Sequence, residues 1–218
     1  MRGFLERLAL TVNLVLILLL CFVGFRRDGP ARRAVDEWLA ERRRSAVLAT
    51  RWGSLSSGSN RLDTGTLKVA VVEFADYQCP FCKANQTAIE NLLRDTSVGF
   101  AFRNFPIQGH VAARGAARTA VCAAEQGRFR AMHSRLFDSD LWQVDTNWVR
   151  EAIAAGVPDT NAFRACLAAK STDAQIDADI ALGQQLGVDA TPTFLTQREL
   201  HAGTATEQDL RRMAGRAR

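Results

Sequence analysis

Apolar and polar positions divide the chain into distinct zones. Leu8 to Phe25, LALTVNLVLILLLCFVGF, is eighteen residues without a charge. As a helix it would span roughly 27 Å, the thickness of a thin bilayer core. It is longer than the apolar part of a cleavable leader, and its exit, Phe22-Val23-Gly24-Phe25-Arg26, lacks the small residues of a cleavage site. The run therefore predicts an uncleaved N-terminal membrane anchor, with Cys21 as one more apolar side chain. Residues 31–50 predict a second helix, with Val35, Trp38 and Leu39 on one side and arginines 32, 33, 42, 43 and 44 around the rest. That pattern suits a helix lying along anionic headgroups, and equally a solvated spacer or a dimerisation arm. Gly53 to Asn60, GSLSSGSN, has the composition of a flexible linker.

Beyond the linker the pattern changes period. Leu67 to Ala75 is a near-continuous apolar run rich in valine, as a strand buried on both faces would be. A polar turn, Asp76-Tyr77-Gln78, precedes Cys79-Pro80-Phe81-Cys82, and Lys83 to Arg94 has helical spacing with Ala84, Thr87, Ala88, Leu92 and Leu93 available for one face. Pro80 suits a helix's first turn, where its missing N–H has no partner to lose. The cysteine pair is thus predicted at a helix N-terminus, at the C-terminal edge of a strand.

Charge sharpens the division. The chain carries 28 basic and 23 acidic side chains, and the net +5 resides wholly in residues 1–59, with 10 basic and 5 acidic groups. Residues 60–218 balance at 18 of each, so the main domain has no electrostatic ground for binding nucleic acid. The excess is a membrane-proximal collar. Read alone, arginines 26, 27, 32 and 33 downstream of the apolar run place the large domain on the cytoplasmic side.

The candidate chemistry centres on Cys79 and Cys82. Free N–H groups and the helix dipole favour a thiolate at Cys79, the member at the mouth of the helix, and Cys82 is one turn away, close enough to resolve a mixed disulfide. A Cys-x-x-Cys is also half of a zinc site, but Cys122, Cys166, His110, His133 and His201 supply no second close-spaced pair. The three histidines read as surface or helix-packing residues. Glu73, six residues before Cys79 and on the same side by period two, is either an exposed edge-strand carboxylate or a buried acid that relays the proton of Cys82.

The run VVEFADYQCPFCKAN resembles the active-site segment of DsbA-type thiol–disulfide oxidoreductases, a branch of the thioredoxin superfamily. Cys122 to Phe129, Met132-His133 and Leu136-Phe137 resemble the helical segment that such proteins insert into the thioredoxin fold. Phe163 to Leu167 and Gly187 to Phe194 continue the likeness over residues 60–218. Arg130, and Gln197-Arg198-Glu199, depart from the family's usual residues. The resemblance implies an α/β thioredoxin core with a helical insertion at about 106–188, a β-hairpin near 193–203 and a C-terminal helix at about 206–215. It makes Cys79 the attacking thiol, Cys82 the resolving one and Pro192 a cis-proline facing them, with Thr191, Pro80 and Phe81 beside the substrate. Some relatives carry a structural disulfide that Cys122 and Cys166 would match; two buried free thiols are the alternative.

Together these readings give residues 1–25 as anchor, 26–59 as a basic helix and linker, and 60–218 as a membrane-tethered dithiol oxidase without metal or organic cofactor. Its partners would be reduced exported proteins and a membrane quinone-linked oxidase. A reductase or isomerase of the same fold would instead need an electron donor, and a thiol peroxidase or a tethered metal-handling or holdase module are further alternatives. Oxidising dithiols work outside the cytosol, which sets the expected periplasmic placement against the arginine count; long domains translocate largely regardless of charge.

Overall fold

The structure, a computed structural model, describes residues 12–19, 21–22, 29–57, 60–63, 68–95 and 97–216. It divides into two compact units, residues 1–44 and 45–218. In the first, residues 12–19 and 21–22 are helical with exposed apolar side chains, and the rest of the 8–25 run lies outside the described residues. Among the described residues no helix is long and apolar enough to cross a membrane. Helix α1 (Pro30–Ser56) starts on proline and carries Trp38, 55% exposed, beneath the Arg42 guanidinium at 4.6 Å from the ring centre.

α1 runs past the expected end at residue 50, so residues 53–56 are helix and not linker. Glycine and serine are poor helix formers, and tertiary contacts override them. Leu48 and Leu55 are buried among Val72, Phe74, Phe105 and Leu195. Arg103, from a strand far along the chain, donates to the carbonyls of Ser54, Leu55 and Ser57, which the helix end leaves without backbone donors. Asp179 lies 3.5 Å from that guanidinium and balances its buried charge.

The second unit is built on a four-stranded sheet in the order β2-β1-β3-β4. β1 (Val69–Ala75) is central and buried throughout, parallel to β2 (Gly99–Asn104) and antiparallel to β3 (Thr193–Leu195), which pairs with β4 (Leu200–Ala202). The alternation of β1 sends Val71 and Ala75 into one core layer and Val72 and Phe74 into the other. The first layer holds α2 (Pro80–Leu93) and α9 (Glu207–Arg216).

Between β2 and β3 the chain leaves the sheet for six helices: α3 (Ala113–Ala124), α4 (Phe129–Asp138), α5 (Leu141–Val144), α6 (Trp148–Ala154), α7 (Thr160–Ala168) and α8 (Lys170–Leu186). This is a thioredoxin fold with an inserted helical subdomain. Cys122 of α3 and Cys166 of α7 are joined by a disulfide with Cα atoms 5.7 Å apart. α8 ends on Gly187 at φ +84°, a left-handed cap that other residues adopt with strain.

Candidate active site

β1 stops at Ala75, and three residues carry the chain to Cys79, the N-cap of α2, with Pro80 in the first turn. The turn is held from its own carboxylate. Asp76, fully buried, accepts from the backbone N–H of Gln78 at 2.7 Å and of Ile107 at 2.7 Å, and its Oδ2 lies 2.8 Å from His110 Nδ1. Gln78 in turn accepts from the Ala112 N–H at 3.0 Å. The loop after β2 is therefore pinned to the approach to Cys79. Neither Asp76 nor His110 stands out in the sequence as part of the site; their only signal there is that Asp76 lies within the run resembling the family.

Cys79 is 4% exposed and Cys82 fully buried, while Phe81 between them is 63% exposed. The Thr191–Pro192 bond is cis, and the Thr191 carbonyl lies 3.4 Å from Cys79 Sγ, so β3's leading edge faces the thiol. Thr191 and Pro192 are buried. The structure thus brings Cys79, Cys82, Pro80, Phe81, Thr191 and Pro192 to one place.

The two thiols are driven apart in acidity. The Cys82 thiol donates to Cys79 and, with the Thr191 side chain and the N–H groups of Cys82 and Phe81, outweighs the cost of burial and lowers the Cys79 pKa to about 5. Cys82 moves the other way, first because it is buried, then because it serves as that donor and lies near Glu73. A proton between the sulfurs therefore resides on Cys82.

Glu73 is the buried alternative of the two sequence readings. It is inaccessible, neither carboxylate oxygen has a hydrogen-bond partner, and burial followed by the charge of Cys79 raises its pKa to about 8. A carboxyl in that state is neutral at pH 7 and exchanges a proton near neutrality. Cys122 and Cys166, on α3 and α7, are a covalent brace within the insertion and form no part of this centre. Among the described residues no cluster of His, Cys, Asp or Glu could hold a metal ion.

Comparison with known proteins agrees with this geometry. Residues 66–214 match the protein-family model described as Thioredoxin. Over 139 residues the chain is 35% identical to a protein of Salinispora tropica named Na(+)/H(+) antiporter NhaA 3, covering 62% of this chain and 21% of that one, so the chain spans about a fifth of such relatives. It is 28% identical over 147 residues to disulfide bond formation protein D of Bacillus subtilis, covering 58% of this chain and 62% of the relative. A thioredoxin-like oxidoreductase from Silicibacter pomeroyi superposes with a TM-score of 0.67 at 32% identity, over 75% of this chain and 95% of that one. The thiol–disulfide exchange protein alpha-DsbA2 of Wolbachia pipientis shares the fold, with a TM-score of 0.68 at 21% identity over 82% and 97% of the two chains. The chain belongs to the thioredoxin family, among thioredoxin-like oxidoreductases, and carries its Cys-x-x-Cys pair at Cys79–Cys82.

Proposed function

We propose that the protein is a dithiol oxidase, tethered by residues 8–25 with its catalytic domain outside the cytosol, that introduces disulfides into exported proteins. The observation that carries the direction is the opposed acidity of the two cysteines. A thiolate stabilised at Cys79 stabilises the reduced pair, which makes the corresponding disulfide a stronger oxidant and Cys79 a better leaving group. The Cys122–Cys166 disulfide supports an oxidising compartment.

In the forward reaction the Cys79–Cys82 disulfide is attacked at Cys79 Sγ by a client thiolate. The sulfur–sulfur bond breaks, a client–Cys79 mixed disulfide forms, and Cys82 leaves as a thiolate. Its raised proton affinity draws a proton from neutral Glu73. A second client thiolate then attacks the client's bridging sulfur and expels Cys79 as the stabilised thiolate. The client has lost two electrons and the pair has gained them. The freed carboxylate of Glu73, whose neutral form burial favours, then takes a proton back from solvent, and a membrane quinone-linked oxidase would take the two electrons away.

The test is oxidation of a reduced, unfolded client by stoichiometric disulfide-form protein. The wild type should convert client thiols to disulfide. Cys79→Ser should transfer none, and Cys82→Ser, offered instead a client that already carries a disulfide, should attack it through Cys79 and be trapped as a mixed disulfide, the client's other sulfur leaving as a thiol. A wild type that leaves the client reduced, yet in its dithiol form cleaves client disulfides, would reverse the assigned direction.

A further inference from the structure

A second polar chain lies under the active-site helix. Tyr77 leaves the turn before Cys79 and its hydroxyl lies 3.2 Å from Nδ1 of His133, on α4 of the insertion. Nε2 of the same ring lies 3.0 Å from Gln86 Oε1 on α2. The Gln86 amide then donates to the carbonyl of Cys82 at 3.1 Å. On the far side of that peptide, the N–H of Lys83 donates to the carbonyl of Cys79 at 3.1 Å.

The partners leave one consistent assignment. A Gln86 oxygen can only accept, so His133 Nε2 carries the hydrogen, Nδ1 accepts, and the Tyr77 hydroxyl donates. Every donor points the same way, from Tyr77 through His133 and Gln86 to Cys82 and on to Cys79. Hydrogen bonds aligned in this manner polarise one another, and in a buried setting they hold their members in one geometry. The imidazole must be neutral for this direction. It is 3% exposed, packed among Phe102, Phe129, Phe137 and Tyr77 with ring centres 4.9–5.6 Å away, and burial, then the charge of Arg130, lowers its pKa to about 3.

We propose that His133 and Gln86 are positioning residues for the redox pair: the chain they form fixes the first turn of α2 so that the Cys82 thiol points at Cys79. The insertion thereby sets the reactivity of a site whose sulfurs it does not supply. A pure packing role would predict lost stability with unchanged thiol chemistry, whereas this role predicts changed thiol chemistry even where stability is kept. The inference rests on Cys79 as the stabilised attacking thiolate.

Gln86→Met separates the two, because Gln86 is half-buried on a helix surface, and methionine matches its length while removing the donor. The ionisation of Cys79 is followed by thiolate absorbance in the dithiol form, and thermal stability is measured in the disulfide form. Glu90→Gln, an exposed change one turn along α2, is the control. Gln86→Met should raise the Cys79 midpoint by about half a pH unit or more, a roughly threefold loss of thiolate relative to thiol, with little change in melting temperature. His133→Gln should shift it in the same direction, and Glu90→Gln should leave it in place. A low wild-type midpoint that Gln86→Met does not move would overturn the inference alone. A wild-type midpoint in the ordinary thiol range would overturn both the inference and the reading on which it rests.

Discussion

Glu73 is the residue where burial and chemistry conflict most openly. The strand needs an apolar side chain at that point, and the carboxyl there has no partner. From pH 4.5, its ordinary value, to about pH 8 the folded form keeps a proton that the unfolded chain releases. The protein with more protons bound is favoured at low pH, so this group makes stability fall as pH rises through that window, by at most about 5 kcal/mol. The contribution should be isolated in the disulfide form, where Cys79 does not titrate. There, Glu73→Gln should flatten the decline in urea midpoint between pH 5 and 8 and slow disulfide transfer. An unchanged pH profile would mean that Glu73 ionises freely, and an unchanged rate that it moves no proton. The sequence placed this residue on the same side as Cys79 by strand alternation alone. It left burial open because a single carboxylate in an apolar run fits an edge strand equally well.

Elements were legible to the extent that their causes are local. The β1 run and the α2 spacing follow from periodicity, and Pro80 marks the start of α2 as it does in any helix. The end of α1 was not legible, because Gly53 and Ser54 argue for a linker. What holds them helical is Arg103, 48 positions beyond Leu55. Removing that side chain should show the dependence. Arg103→Ala leaves the carbonyls of Ser54, Leu55 and Ser57 and the carboxylate of Asp179 without their cation, a change expected to cost on the order of 3–5 kcal/mol. Urea denaturation reads the loss, and amide exchange should show residues 53–57 opening first. A change below about 1 kcal/mol would mean that the packing of Leu48 and Leu55 alone holds the helix end. The Tyr77–His133–Gln86 chain was hidden for the same reason: its links join residues 56 and 47 positions apart, and histidine in an amphipathic helix looks like packing.

For the whole molecule, the excess of positive charge and the apolar N-terminal run belong to a different part of the chain from the redox centre. The domain from residue 60 onward has no net charge, and the fold assembles its site from two separated stretches: the continuous run from β1 through the turn into α2, and the cis-proline before β3. That distribution is why motif order along the chain indicated the family, whereas the acidity difference between the sulfurs emerged only when the stretches met. Under the proposed function, a pair whose reduced form is stabilised gives its disulfide readily to clients, and the reoxidising membrane partner would keep it oxidised in the cell. The most direct measurement is thiol trapping of the full chain in intact cells, with Cys21→Ser to remove the remaining free thiol and the same protein treated with a mild reductant, which frees both Cys79 and Cys82, as the reduced reference. The account predicts that Cys79 and Cys82 are found mostly as the disulfide; a pair found mostly as free thiols would contradict it.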